Sequence, residues 1–121
     1  MKNIGKIGEN IACRIIAGLK YQVIERNFRT KFGEIDIIAR KSGNLVFFEV
    51  KTLINKSVYQ LSPEDNLTLK KLEKLNKICT WYANRHPEIF GTDQGWQIDL
   101  LTISIDEDLK TYTYKHYENI E

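Results

Sequence analysis

Three residues of this 121-residue chain have types and spacing that could do chemistry: Asp36, Glu49 and Lys51. Asp36 lies within Phe32-Gly33-Glu34-Ile35-Asp36-Ile37-Ile38-Ala39-Arg40. Glu49 and Lys51 end the stretch Asn44-Leu45-Val46-Phe47-Phe48-Glu49-Val50-Lys51. Both stretches are rich in Ile, Val and Phe and read as β-strands, with Lys41-Ser42-Gly43-Asn44 between them as a hairpin turn. Strand alternation puts Glu34, Asp36 and Ile38 on one side and Ile35, Ile37 and Ala39 on the other. In the second strand Leu45, Phe47, Glu49 and Lys51 share a side, opposite Val46, Phe48 and Val50. Carboxylates thus stand where a purely structural sheet would carry Val or Thr, and like charges on adjacent strands repel. A divalent cation bridging Asp36 and Glu49 would remove that repulsion, and Lys51 would add a positive charge on the same side. This is the minimal equipment for metal-assisted phosphodiester hydrolysis, in which the cation activates water and the lysine orients the nucleophile or stabilises the transition state. Taken alone, Glu49-Val50-Lys51 reads more readily as a solvated strand face than as a site. The preceding Leu-Val-Phe-Phe run argues against that, because it describes a strand covered on both faces.

The length suits one domain over residues 1–121, large enough to bury roughly two-thirds of its unfolded surface. Composition is ordinary for a globular protein, at 42% hydrophobic and 28% charged residues. No apolar run reaches the ~20 residues of a membrane span, and Asn3, Lys6, Glu9 and Asn10 interrupt any secretory core at the N-terminus. Cys13 and Cys79 lack metal-ligand spacing and read as buried free thiols, which fits a reducing cytoplasm and not a zinc site. Net charge is +2, unevenly distributed: residues 1–60 hold 11 Lys/Arg against 5 Asp/Glu, and residues 61–121 hold 7 against 11. Three of the five N-terminal acids belong to the candidate site, so its surroundings are basic, as a polyanion substrate requires.

Elements that could position these residues follow in order. Ile11, Ile15, Ile16 and Leu19 form a helical stripe over residues 4–19. Gly5 and Gly8 are costly there and imply close approach of the backbone to a strand or a phosphate. Glu9 reads either as a first-turn acid complementing the helix dipole or as an acid reaching the metal site. Tyr21 to Asn27 reads as a strand, and Arg29 and Lys31 flank it as phosphate contacts, with Phe28 stacking or closing the core. Asn55 to Gln60 is a polar connection. A second helix begins at Ser62-Pro63 or at Thr68 and buries Leu72, Leu75, Ile78, Cys79 and Tyr82. Its other face carries Lys70, Lys71, Lys74 and Lys77, a solvated face or a polyanion-binding one. After His86-Pro87, strands at Trp96–Ile103 and Thr111–Tyr117 follow. Asp99 reads as a structural or a site-supporting acid, and His116 as structural or surface-exposed. The order α-β-β-β-α-β-β predicts an α/β fold with a single mixed β-sheet flanked by helices.

Gly5-x-x-Gly8-Glu9 with Ala12, Tyr21, Arg26-Asn27-x-Arg29 and Gly33-Glu34-Ile35-Asp36-Ile37-Ile38-Ala39 resemble the YraN-like family of bacterial proteins. Val46-Phe47-Phe48-Glu49-Val50-Lys51-Thr52, Thr68-x-x-Lys71, Tyr82 and Ile98-Asp99-Leu100 continue the resemblance over nearly the full chain. The family is placed in the PD-(D/E)XK nuclease superfamily, with restriction endonucleases and Holliday-junction resolvases. The resemblance implies a restriction-endonuclease-like αβββαβ core with the metal site on the central hairpin. It implies Asp36 and Glu49 as acids holding Mg²⁺ or Mn²⁺, the Val50 carbonyl as a further ligand, Lys51 as the catalytic lysine and Glu9 as the helix-borne acid. Glu34 and Lys71 match further motif positions. Two departures are visible: Ile35 stands where the superfamily has Pro, and Leu53 where an Arg often follows the Lys-Thr pair.

The leading expectation is a Mg²⁺- or Mn²⁺-dependent endonuclease acting on DNA in preference to RNA, on branched or otherwise structured DNA. Arg29, Lys31, Lys71 and Lys74 would contact nucleic acid. One alternative is a nucleic-acid-binding module of the same fold without efficient catalysis. Another is a partner-binding protein whose acids are held only by ion pairs, and a homodimer paired through the Tyr112/Tyr114 strand is a further expectation.

Overall fold

A computed structural model describes residues 3–59, 67–87 and 95–120. Helix α1 spans Ile4–Gly18, and strands β1, β2 and β3 span Gln22–Thr30, Gly33–Lys41 and Asn44–Ile54. Helix α2 spans Leu69–Arg85, and strands β4 and β5 span Trp96–Ile105 and Tyr112–Tyr117. The five strands form one sheet in the order β1-β2-β3-β4-β5. All neighbours are antiparallel except β3 and β4, which run parallel from Leu45↔Trp96 to Ile54↔Ile105. A parallel pair needs a crossover, and the chain between β3 and β4 includes α2. This is the mixed sheet with flanking helices, in αβββαβ order, that the sequence leads one to expect of a restriction-endonuclease-like core.

Local chemistry explains the element ends. The Asn3 side chain caps α1 by accepting the Lys6 N–H at 3.1 Å, and Thr68 Oγ1 caps α2 by accepting the Lys71 N–H at 3.3 Å. Of the two starts expected for the second helix, Thr68 is therefore its cap, while Ser62-Pro63 lies outside the described residues. Ser42 and Gly43 both have positive φ, 51° and 83°, which is the I′ geometry that a two-residue hairpin between right-twisted strands requires.

The sheet separates two apolar layers. On one face, Ile11, Ala12, Ile15 and Ile16 of α1 pack with Tyr21, Ile37, Val46, Phe48, Leu101 and Ile103. On the other, Leu75, Ile78, Cys79 and Tyr82 of α2 pack with Ile35, Ile38, Phe47, Ile98 and Leu100. Phe28 closes this second layer against the rings of Trp81 and Tyr82, at centroid distances of 5.8 and 5.0 Å. Cys13 and Cys79 are free. Tyr112 and Tyr114 are exposed, and no helix among the described residues is long and apolar enough to cross a membrane.

Simple alternation fails in β2 beside the site. Ile35 and Ile37, two residues apart, belong to opposite layers. Their partners across the pair do the same: Phe28 opposes Ile35 and faces α2, while Arg26 opposes Ile37 and bonds to Asn10 of α1. Between them Asn27 adopts φ 52°, a left-handed conformation that Asn tolerates and that turns the strand over. Asp36 lies at this break, between Ile35 and Ile37.

Gly8 is the contact by which α1 seats on β3. A Cβ built there would meet Thr52 Oγ1 at 1.9 Å, whereas one on Gly5 would meet only Asn3 Oδ1, at 3.4 Å. Overpacking of this kind costs about 1–3 kcal/mol. Gly8→Ala is therefore expected to lower stability by about that amount in urea unfolding. Gly5→Ala should be neutral or stabilising by up to about 1 kcal/mol, because it gains helix propensity without a clash.

Candidate functional site

The site lies where β2 and β3 part. Their pairing ends at Ile37↔Phe48, while β2 continues beside β1 to Gly33 and β3 continues beside β4 to Ile54. In this fork the carboxylate of Asp36 accepts the backbone N–H of Val50 at 2.7 Å, a bond that β2 backbone would make in an unbroken sheet. Gly33, at φ 138°, supplies a conformation at the start of β2 that side chains rarely adopt.

Glu49 extends from β3 toward α2. It lines a cleft of 160 Å³ with Phe32, Glu34, Lys71, Lys74 and Leu75. Asp36 and Glu49 are hydrogen-bonded to one another, and both are raised well above the usual carboxylate range. Asp36 is pushed up to about 6, chiefly by burial; the Val50 N–H opposes this and the charges of Glu9 and Glu34 add to it. Glu49 is pushed up to about 8, by burial first and then by the charge of Asp36 and their shared hydrogen bond, with Lys71 opposing. Each carboxyl therefore favours its protonated form more than a free carboxyl does.

The other expected residues divide by face. Glu9, on the turn of α1 that Gly8 seats against Thr52, lies close enough for its charge to act on Asp36. Lys51 is exposed and, by alternation, shares the α2 face with Glu49. Lys71 and Lys74 line the cleft with Glu49, so the lysine-rich helix face does meet the acidic pair. Arg29 donates through Nε to Glu34 Oε2 at 3.0 Å, and the Lys31 ammonium sits 5.3 Å from the centre of the Phe32 ring. Leu53 is buried.

Asp99 is settled as a structural acid. Fully buried, it accepts Gln97 Nε2 at 2.8 Å and the Asn119 N–H at 2.9 Å, and bonds His116 Nε2 at 2.7 Å. It pairs with Phe48, and His116 contacts the Phe48 ring, which places this network on the face opposite Glu49. Asp99, His116 and Glu118 bring one ligand atom each within 4.8 Å of one another, a spacing that could hold a cation. The existing hydrogen bonds already satisfy Asp99 without one.

Residues that sequence reasoning left out are Lys6, Asn10 and Arg26, which gather with Arg29 in a groove on the α1 side. Lys6 and Asn10 are spaced i, i+4 on α1, a signal that would have put them on one helix face.

Residues 8–103 match the family model described as Uncharacterised protein family UPF0102. The chain belongs to the UPF0102 family. A UPF0102 protein of Campylobacter jejuni subsp. jejuni serotype O:23/36 is 40% identical over 102 residues, covering 84% of each chain. One from Geotalea daltonii is 44% identical over 103 residues, covering 84% of this chain and 76% of that one. A third, from Syntrophomonas wolfei, is 36% identical over 89 residues, covering 74% and 76%. The UPF0102 match starts at Gly8 and so takes in Glu9, the β2–β3 fork and α2, and it ends within β4.

The raised pair has a consequence for stability. Each carboxyl binds its proton more tightly folded than unfolded, where values near 4 apply. Its contribution is complete below about pH 4 and is lost as pH rises through the folded values of about 6 and about 8. The metal-free protein is expected to lose melting temperature between pH 5 and 9. An Asp36→Asn/Glu49→Gln double variant should show a flatter profile over the same window; an equally steep one would mean that the pair does not control it.

Proposed function

We propose that this protein is a Mg²⁺- or Mn²⁺-dependent endonuclease that hydrolyses phosphodiester bonds in DNA, acting on branched or otherwise structured DNA. The observation that carries this reading is the Asp36–Glu49 pair. Two carboxylates from strands that separate at that point stand together, Asp36 buried and Glu49 partly so, opposite the lysines of α2. Burying such a pair costs stability that apolar side chains would not cost, so its presence asks for a ligand.

The donor set fits a hard divalent cation. Asp36 and Glu49 offer only oxygen, and the backbone of Val50 is already drawn against Asp36 by its N–H. Bound between them, the cation would supply Lewis-acid polarisation of the phosphodiester and activation of water. The remaining work falls to the chain. Val50 fixes the orientation of Asp36 through its amide, and Asp36 and Glu49 would hold the cation as carboxylates. Lys51 extends from the same strand face and offers a positive charge to the phosphoryl oxygens as charge develops on them. Glu9 adds a further acid from α1. Arg29, Lys31, Lys71 and Lys74 bind neighbouring phosphates, an electrostatic contribution that orients the strand without reading its sequence. We place the protein in the cytoplasm, where the free thiols Cys13 and Cys79 remain reduced.

The test is cleavage of labelled single-stranded, duplex, flapped and four-way-junction DNA, with matching RNAs, in Mg²⁺ or Mn²⁺. Glu49→Gln and Lys51→Ala proteins prepared identically expose contaminating nucleases. Wild type should cleave a structured DNA, and each variant should lose at least about 100-fold in rate. Cleavage that survives both substitutions would remove Glu49 and Lys51 from the chemistry. Binding to one structure without cleavage would make the protein a binding module of nuclease fold.

A further inference from the structure

The groove between α1 and β1 encloses 540 Å³ and is lined by Lys6, Glu9, Asn10, Arg26, Asn27 and Arg29, among others. Three cations and one acid face it, and the acid, Glu9, is the one whose charge reaches Asp36. Both arginines are held in place. Arg26 Nη2 donates to Asn10 Oδ1 at 2.7 Å, and Arg29 Nε donates to Glu34 Oε2 at 3.0 Å. Each of these bonds engages one of five guanidinium N–H donors and orients the planar fork. The partner of Arg26 is an amide. Asn10 positions the guanidinium without neutralising it, whereas a carboxylate in that place would cancel the charge. A guanidinium fixed by a neutral partner, beside a second cationic fork, suits phosphate oxygens.

One ion pair, Arg29–Glu34, links the groove to the cleft on the opposite face. Arg29 lines the groove and is bonded to Glu34, and Glu34 lines the cleft with Glu49, Lys71 and Lys74. Asp36 stands in the fork of the sheet, and Glu49 lines the cleft itself. We propose that the α1–β1 groove holds the sugar–phosphate backbone of the substrate strand on one side of the Asp36–Glu49 pair, while the Lys71/Lys74 cleft holds it on the other. This rests on the nuclease reading above and specifies its substrate. A strand that occupies both must pass from one face of the sheet to the other across the fork. Continuous duplex resists so local a bend, its persistence length being about 150 bp, whereas a single-stranded segment or a branch point accommodates it.

Fluorescence anisotropy with fluorescein-labelled single-stranded, duplex and four-way-junction DNA tests this in EDTA, where turnover is absent. The proteins are wild type, Lys6→Gln/Arg26→Gln and the charge-conserving Lys6→Arg/Arg26→Lys. Wild type should bind the single strand and the junction more tightly than the duplex. In the neutralised variant the slope of log K against log salt on the single strand should fall by about 0.7 per lost phosphate contact, close to 1.4 in all, and the charge-conserving variant should restore it. The rise in melting temperature caused by Mn²⁺ should be the same in all three proteins, which separates a lost contact from a damaged fold. Wild-type binding with an unchanged slope in the neutralised variant would overturn the groove and leave the nuclease reading standing. Failure of the charge-conserving variant to restore the slope would do the same. No binding by wild type to any of the DNAs would overturn both.

Discussion

One hydrogen bond organises the centre of this protein: the backbone N–H of Val50 donating to the carboxylate of Asp36 at 2.7 Å. Strand β3 lies in the middle of the sheet and needs partners along both edges. Toward β4 it is paired through to Ile54, but toward β2 its pairing stops at Phe48. Beyond that point the Val50 amide would be a buried donor without an acceptor, a loss of about 1–3 kcal/mol. Asp36 supplies the acceptor from a side chain and so allows β2 to leave β3 without stranding the amide. The fork opens between two otherwise continuous sheet halves, and the same carboxylate that stabilises its edge becomes available to Glu49. Structure and site thus share a residue. Removing the Asp36 side chain would damage both, and Glu49 and Lys51 are the cleaner probes of chemistry.

Electrostatics around the fork follow from its position. Asp36 feels Glu9 from the α1 side and meets Glu49 and Glu34 from the other, so three further acids converge on a group that is already buried. Cations are held one step away: Lys71 and Lys74 from α2, and Arg29 through its bond to Glu34. Lys71 lowers the proton affinity of Glu49 but does not overcome burial and the charge of Asp36. The centre is therefore under-neutralised while the rim is positive. Protonation relieves the centre, and a divalent cation would do so more completely. The rim has the opposite preference and suits a polyanion. The metal-assisted attack on phosphodiesters proposed above would use both.

Much of this arrangement was legible in the residues. Ser42-Gly43 called for a tight hairpin, Thr68 for a cap, and the Leu-Val-Phe-Phe run for a strand covered on both faces; each takes that role. Asp36 and Glu49 stood out as acids in apolar strands, and they do come together. The failure of alternation at Asp36 was not legible, because it arises from the left-handed Asn27 on the neighbouring strand, and a period of two assumes that no such residue intervenes. Nor did single residues reveal the work of Asp99. Its partners include His116 and Asn119, 17 and 20 positions away, and only the pairing of β4 with β5 brings them within reach. The α1 groove escaped notice for a related reason. Lys6 and Arg26 become neighbours only when β1 turns Arg26 toward α1, and the same inversion at Asn27 controls that.

Glu9 shows how closely packing and site are coupled. Whether it is an ordinary first-turn acid or a member of the site depends on how deeply α1 sits on the sheet, which local sequence does not determine. Gly8 determines it. With no side chain at that position, the helix backbone approaches Thr52 more closely than any Cβ would permit. Thr52 directly follows Lys51 on β3, so the residue that receives α1 adjoins the lysine of the site. A helix held further out would carry Glu9 away from Asp36 and widen the groove in which Lys6 and Arg26 face each other. The glycine at the helix start and the threonine after Lys51 therefore act as one joint, and that joint sets the distance between the acid on α1 and the acids in the fork.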